Sequence, residues 1–519
     1  MSSSGKKKGF LASCIGLVER VGNRLPHPFF LFCFMGFMVL VISWLLDGTT
    51  ITYTTATAGG GGAKQVTESV KNLINANYIK SCMMGFVNTY KDFAPLGLIM
   101  VMMLSIGFAQ DTGMFDAVLR KSLMSAPTYM VTFVLALVGV CANIASNAGI
   151  VFAATIGAAL FASLGRNPIL GLLTGYCAVY GAFSANLLVA GTDVLLSGIT
   201  ASAASGMGIP GATHPMINYF YMFAATFVVA GLTTFITEKV MPKIITIGVD
   251  HKPEHLSREI SAAQNRGLIW ATISTVAYIA VLLMLTLPQN AFFRAANGSI
   301  LPSSPFVSSI VFILFMFFFV TGTAYGVGAG TIKSQKDIPV LMSNGLRGSL
   351  VFFAVALPAA FFIKFFNDSH IANLISIRGG ELLQSLDLTG IPLAVGFVIF
   401  CAFLNLFMTG ASEKWMVLAP IFVPMFATLN FSPALTQLCY RIGDSTTNPL
   451  APVSYFIPIT LGIMAQYVKP EDENKIGVGT LISMALPYSI AYMIGLTALL
   501  IIFMLFNIPI GPGTSLFIR

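Results

Sequence analysis

Charge is what this chain lacks most. Of its 519 residues only 9% are Asp, Glu, Lys or Arg, against about 25% in soluble globular chains. With 56% hydrophobic residues and a mean hydropathy of +0.83, an ordinary soluble domain is excluded and a polytopic membrane protein is left. Cysteine is sparse too. The seven (Cys14, Cys33, Cys82, Cys141, Cys177, Cys401 and Cys439) are odd in number and lie mostly in apolar runs, so they form neither a disulfide framework nor a zinc spacing. The five histidines (27, 214, 251, 255 and 370) show no metal spacing. There is no Walker pattern: Gly59–Gly62 reads as an external loop tip, and Gly326, Gly328 and Gly330 as a helix end. No nucleophile–base pair or metal motif stands out, so an enzyme is not expected, nor a cofactor. No small-residue cleavage site follows the first apolar run, which therefore reads as a retained span.

The basic residues that give the formal net charge of +8 sit in short loops. This is the positive-inside pattern of membrane proteins, and it argues against a nucleic-acid partner. Spans of bilayer length are Pro28–Leu46, Pro95–Gln110, Asn218–Ile236, Gly267–Leu287, Pro305–Val320 and Val478–Phe506. Lys6–Lys8, Arg20 and Arg24 place segment 1–27 in the cytoplasm, with a first crossing at 28–46 and an external connection at 47–94. A first repeat, 95–237, follows. Within it 129–164 is too long for one crossing and reads as a re-entrant hairpin with its tip at Ala145-Ser146-Asn147-Ala148. A broken crossing helix, 167–203, comes next. The charged loop 238–266 is cytoplasmic, and 267–347 supplies scaffold helices. A second repeat, 348–506, has a hairpin at 392–429, with its tip at Gly410-Ala411-Ser412-Glu413-Lys414-Trp415, and a broken helix at 432–467. Residues 507–519 read as an external tail. The expected fold is an all-α polytopic membrane protein, about nine transmembrane helices plus two opposed re-entrant hairpins in an inverted repeat. Direct identity between the halves is weak, so the repeat rests on pattern.

One block contradicts the lipid around it: Tyr440-Arg441-Ile442-Gly443-Asp444-Ser445-Thr446-Thr447-Asn448-Pro449-Leu450-Ala451-Pro452. A charge at the bilayer centre costs about 2.5–3.5 kcal/mol on insertion scales, and two prolines break a helix where lipid demands one. Such a segment has to face protein or a water-filled cavity, which points to a solute transporter with a midplane site. Helix starts at a hairpin tip attract carboxylates, and Ser, Thr, Asn and Asp oxygens suit a hard cation such as Na⁺. The first half offers Ser146, Asn147, Ser184, Asn186, Thr192 and Asp193. The second offers Asn405, Ser412, Ser445, Thr446, Thr447 and Asn448. Arg441 and Asp444 are three apart and share a helical face, as a structural pair or as direct participants. Asp193, with no basic neighbour in sequence, reads as a proton carrier, a Na⁺ ligand or a helix cap. Trp415 is an interfacial anchor or a platform for an aromatic cargo. Pro433 and Pro452 shape the helix start and the break.

These motifs resemble the AbgT family of p-aminobenzoyl-glutamate transporters. The resemblance rests on 18–28 (VERVGNRLPHP), 93–97 (FAPLG), 184–187 (SANL), 195–200 (LLSGIT), 419–425 (APIFVPM), 440–445 (YRIGDS) and 477–483 (GVGTLIS). It implies a homodimer with an inner scaffold and an outer transport core, in a bacterial inner (cytoplasmic) membrane. The N-terminus would be cytoplasmic and the C-terminus external. It implies secondary active transport of p-aminobenzoyl-glutamate or related aromatic carboxylates and folate fragments, with export of sulfonamide antimetabolites in some members. Asn405, Ser412, Trp415, Pro433, Arg441, Asp444 and Pro452 match its substrate positions. Coupling to Na⁺ or H⁺ would involve Asp193, Ser146, Asn147, Ser184, Asn186, Ser445 and Asn448, with any Na⁺ at the hairpin tips. The chain departs from the family pattern at Asn147, where an acidic residue is usual, at Glu413, where a small one is, and at Val194, where a proline is. A dicarboxylate or amino-acid carrier of the wider superfamily, and a passive channel, are the competing readings.

Overall fold

The structure is a computed structural model. It describes residues 27–56, 63–205, 208–209, 214–245, 247–249, 260–301, 304–408, 410–452, 454 and 456–518, and their side chains except at 51–56, 63–66, 94, 145–148 and 348. Most of the 18–28 motif and the N-terminal lysines and arginines lie outside these residues.

The chain opens with α1 (Pro28–Leu45), started by a proline in its first turn. A two-stranded antiparallel ribbon follows, β1 (Thr50–Ala56) and β2 (Ala63–Ser69), with Thr52 opposite Thr67. This ribbon lies in the predicted external connection 47–94, is the one strand pair among the described residues of an otherwise helical fold, and is tied down. Glu68 accepts from Asn373 Nδ2 at 2.5 Å and lies 3.2 Å from His370 Nδ1. Short helices α2 (Ala76–Met84) and α3 (Phe86–Lys91) complete the connection. Next come α4 (Ala94–Asp111) and α5 (Met114–Met124), which meet at a 54° bend. Gly113 makes that bend at φ 86°, a left-handed turn that suits glycine.

The first hairpin consists of α6 (Val131–Cys141), a short 3₁₀ turn (Ala142–Ala145) and α7 (Ser146–Ser163). A Cβ on Gly157 would meet the Leu135 side chain, so the two arms run side by side about the predicted tip. The broken helix begins as α8 (Pro168–Tyr180), capped by Asn167, whose side chain accepts from Ile169 N, and resumes as α9 (Gly191–Ser205). Four small residues seat α8 against the hairpin: added Cβ atoms at Gly171 and Gly175 would strike the backbone of Gly157 and Ala153. Then come α10 (Tyr219–Phe235), α11 (Ala262–Met284), α12 (Pro305–Ser308), α13 (Ile310–Ala329), α14 (Asp337–Gly345) and α15 (Leu350–Asp368).

The second unit opens with α16 (Ile371–Ser385), bent 116° from α17 (Gly390–Asn405). With α18 (Ala411–Thr428), α17 forms the second hairpin, whose arms are held apart by Phe397 packing on Phe422 and Phe426 at 4.7 and 4.9 Å. The second broken helix is α19 (Pro433–Thr446), capped by Ser432, then a 3₁₀ turn (Asn448–Leu450) and α20 (Phe456–Ala465). Helix α21 (Val478–Leu505) closes the element order. Among the described residues six helices are long and apolar enough to cross a membrane, or up to eight if each bent pair counts as one span.

Residues 507–518 are not a free tail. Ser432 N donates to Leu516 O at 2.9 Å, and Phe220 N to Ile510 O at 3.0 Å. His214 Nε2 lies 2.8 Å from Pro512 O, while Ile510 and Leu516 are fully buried. The segment straps the start of α10 to the start of α19. Its apolar side chains have more to gain from that seat than from water, which a reading by charge alone does not detect.

Two copies of one unit

The hairpins and broken helices share more than outline. Asn143, at the end of the first hairpin's first arm, donates through Nδ2 to Ala182 O at 3.2 Å. Asn405, at the same place in the second, donates to Asp444 O at 2.6 Å. The same sequence spacing separates Asn143 from Asn405, Gly181 from Gly443, Ala182 from Asp444 and Asn186 from Asn448. Over 181–188 and 443–450 the segments GAFSANLL and GDSTTNPL share Gly, a hydroxyl residue, Asn and Leu in register. The two breaks touch: Ser184 Oγ lies 2.8 Å from Ser445 Oγ, and Asn448 Nδ2 donates to Tyr180 O at 3.1 Å. Partner numbers fall along one break as they rise along the other, so the breaks run antiparallel.

Candidate functional site

Each break forms where glycine, hydroxyl and amide residues offer the backbone alternatives to the helical ladder. Thr447 Oγ1 donates to Ala402 O at 3.1 Å, which fixes the second break to the hairpin arm. Asn405 is the hub: its Nδ2 reaches Asp444 O, Thr447 Oγ1 and Asn448 Oδ1 at 2.6, 3.1 and 2.8 Å. In the first break Asp193 caps α9, its Oδ2 accepting from Ala190 N at 2.6 Å. Asn186 Oδ1 accepts from Leu188 N at 3.2 Å.

Four buried charges meet here, and they pair differently from the expectation. Arg441 and Asp444 do not bond each other. Arg441 reaches into the first break, where Nη2 lies 2.5 Å from Asp193 Oδ1 and donates to Phe183 O at 2.6 Å. Asp444 Oδ1 instead takes Lys414 Nζ at 2.5 Å, with both side chains at most 3% exposed. Lys414 also donates to Asn405 Oδ1. The reason is geometric: a shared helical face sets proximity on one helix, but a buried charge goes to whichever partner completes its hydrogen bonds. Each half thus contributes to a pair, and one pair ties the halves together.

Trp415 is also committed. Its ring is fully buried and stacked on Tyr440, centroids 4.5 Å apart and planes 21° apart. Its Nε1 donates to Thr200 Oγ1 at 2.8 Å. Thr200 continues to Gln437 Oε1 at 2.5 Å, and Gln437 Nε2 to Asn218 Oδ1 at 2.8 Å. The ring is therefore enclosed by the chain's own side chains in this structure. Pro433 occupies the first turn of α19, about 16 Å along the helix from Asp444 at 1.5 Å per residue, so it sets the helix start. Pro452 follows the 3₁₀ turn and is half-buried. The side chains of Ser146 and Asn147 lie outside the described residues.

Beside these pairs a cavity of about 290 Å³ opens between the second hairpin tip and the first break. Tyr180, Phe183, Thr192, Ser412, Glu413 and Phe456 line it. Of the predicted residues, Ser412 and Thr192 reach this cavity, while Asp193, Arg441, Asp444, Asn405, Ser184, Ser445 and Asn448 form the buried lattice of the two breaks. Sequence reasoning gave no role to Lys414, Asn143, Gln437, Tyr180 or Phe456. A lysine and a glutamine inside apolar helices were the available signal for two of them. For Asn143 the signal was its register with Asn405.

Comparison with known proteins gives a consistent picture. The family described as "AbgT putative transporter family" matches residues 13–518. The p-aminobenzoyl-glutamate transport protein of Escherichia coli K12 is 33% identical over 517 residues, spanning 99% of this chain and 97% of that protein. The solved structure of MtrF from Neisseria gonorrhoeae, one of a class of antimetabolite efflux pumps, superposes with a TM-score of 0.88 at 33% identity, covering 96% of this chain and all of MtrF. The crystal structure of the YdaH transporter of Alcanivorax borkumensis gives a TM-score of 0.85 at 30% identity, over 94% of this chain and all of that one.

Proposed function

Because the chain belongs to the AbgT family of membrane transporters, we propose that it is a secondary active transporter of p-aminobenzoyl-glutamate or related aromatic carboxylates, with export of sulfonamide antimetabolites. The observation that carries this reading is the cavity: three aromatic side chains, Tyr180, Phe183 and Phe456, wall a space between a hairpin tip and a helix break. Aromatic rings pack on such walls by edge or by offset face. The volume of about 290 Å³ lies near the lower end of ligand-pocket sizes, which start at roughly 300 Å³, so it suits a single ring.

The lattice behind the cavity supports coupling to Na⁺ or H⁺. Asp193 and Asp444 are buried carboxylates, each beside one buried cation. Asn143 Oδ1 is buried and without a partner among the described residues, an oxygen of the hard kind that Na⁺ prefers. The second hairpin with α19 would move against the scaffold of α1, α4, α11, α13 and α15 in an elevator-like step, in a homodimer in the bacterial inner membrane. The N-terminus would be cytoplasmic and the C-terminus external.

The test is transport of p-aminobenzoyl-glutamate and of a sulfonamide in proteoliposomes under imposed Na⁺ and pH gradients. Uphill, saturable movement driven by one gradient is expected. Flux that never runs uphill would make the protein a channel, and movement of an aliphatic diacid alone would move it to the dicarboxylate carriers.

A further inference from the structure

Glu413 is the one carboxylate in the described lining of the cavity, and no Lys, Arg or His lines it. The cations nearest to it in sequence and in the lattice are spent elsewhere: Lys414 is 2.5 Å from Asp444, and Arg441 is 2.5 Å from Asp193. Glu413 is half-buried. Its Oε2 accepts the Ser412 hydroxyl at 3.0 Å, and Oε1 accepts no hydrogen bond from the described residues. Glu413 also stands in the first turn of α18, so the partial positive charge of that helix start is already met by the chain's own carboxylate. A cargo carboxylate arriving at the tip meets a like charge, and between partly buried groups such repulsion is stronger than in bulk water. An N–H donor arriving there finds a charged acceptor, and such hydrogen bonds are about twice as strong as neutral ones. The aromatic walls take the ring that carries the donor.

We propose that Glu413 is a specificity-determining residue that receives the amino group of an arylamine cargo, so that the cargo enters the cavity amino end first. Acidic groups on such a cargo stay at the far end of the ring, away from the hairpin tip. The inference rests on the transport reading, which puts the cargo in this cavity. It extends that reading by naming the cargo's leading group and the side chain that selects it.

The experiment is direct calorimetric binding to the purified full chain in detergent, with two probes that differ only at the leading end: p-aminobenzoyl-glutamate and benzoyl-glutamate. Wild type is expected to prefer the amino compound by about tenfold or more, the value of one hydrogen bond to a charged group. Glu413→Ala should abolish that preference by weakening the amino compound alone, and Glu413→Gln, which keeps a neutral acceptor, should retain part of it. Melting curves of both variants report whether they are folded, and the ratio between probes within one variant is independent of the folded fraction. An unchanged ratio in Glu413→Ala would overturn the assignment of Glu413. Equal binding of the two probes by wild type would overturn the amino-first orientation while leaving the transport reading in place. Failure of wild type to bind either probe would overturn both.

Discussion

The two halves of the core build the same joint and load it differently. In each, an asparagine at the end of a hairpin arm holds the carbonyl that follows a glycine in the neighbouring break, although Gly443 lies against the hairpin arm and Gly181 against Tyr492. In the second half the joint carries charge: Asp444 stands where the first half has Ala182, and Lys414 bonds to Asn405 Oδ1. In the first half the corresponding Asn143 Oδ1 has no described partner. The geometry therefore does not depend on the ion pair, since one copy keeps it without one. What the charges add is a buried ion pair, Lys414 with Asp444, that the first half's joint lacks among the described residues.

The largest effect expected is at the link between the halves. Asp193→Ala or Arg441→Met leaves a buried charge alone, which destabilises by about 3–5 kcal/mol, and transport should fall to background. The double variant Asp193→Leu/Arg441→Met should recover most of the melting temperature, because both desolvated charges are gone. Transport by that double variant would show that the pair is only a brace. Its absence in a well-folded protein would place the pair in the working machinery.

The second break of the comparison is within the charged half. Lys414→Met should destabilise by about 3 kcal/mol, the lower end of that range, because Tyr440 OH, 3.3 Å from Asp444 Oδ1, still faces the remaining carboxylate. Lys414→Met/Asp444→Ala copies the neutral first half, and its melting temperature should return close to wild type. If it does not, the charged pair is holding the fold, and the resemblance between the two joints is only in outline.

What the sequence discloses and what it hides follow from the range of the interactions. Helix starts are local and were legible: Asn167 before Pro168 and Ser432 before Pro433 stand where α8 and α19 begin. Both hairpins were legible as polar interruptions of apolar runs, but the predicted tips fall just past the turns, since Ser146 already opens α7 and Ala411 opens α18. The charge partners were not. Asp193 has no basic residue near it in sequence, and Arg441 comes to it from the other half of the chain. Proximity on one helix left Arg441 and Asp444 open as a pair or as separate participants, and only the packing of the two breaks shows their partners to be Asp193 and Lys414. The stacking partner of Trp415 was hidden for the same reason, since Tyr440 reaches it from a different element. The repeat itself was legible at finer grain than overall identity suggests, in the register of Gly181 with Gly443 and Asn186 with Asn448.

A smaller and more discriminating test compares the two hubs. Asn405→Ala removes three donor contacts and the acceptor of Lys414, leaving buried groups unsatisfied, and should destabilise by about 2–3 kcal/mol. Asn143→Ala removes one described hydrogen bond and should lower stability by about 1 kcal/mol. The difference should appear in thermal melting without added cation. If Na⁺ sits by Asn143, raising Na⁺ should stabilise wild type and Asn405→Ala but not Asn143→Ala, since a ligand that binds only the folded state raises its stability by mass action.

The smallest effect belongs to the contact between the breaks themselves. Ser184 and Ser445 are fully buried and share one hydrogen bond of 2.8 Å, in which either hydroxyl can donate. Removing one strands the other, so Ser184→Ala should destabilise by about 1 kcal/mol. Ser445→Ala should do the same or slightly more, since in Ser184→Ala the remaining Ser445 hydroxyl keeps a long alternative contact to Ile442 O at 3.5 Å. The double variant leaves no stranded hydroxyl, so its loss should be less than the sum of the singles, and the double-mutant cycle measures the coupling between the two halves directly. Strict additivity would mean that the breaks touch without supporting each other. Coupling that persists in melting but vanishes from transport would assign the contact to folding, leaving the Asp193–Arg441 pair as the connection through which one half senses the other.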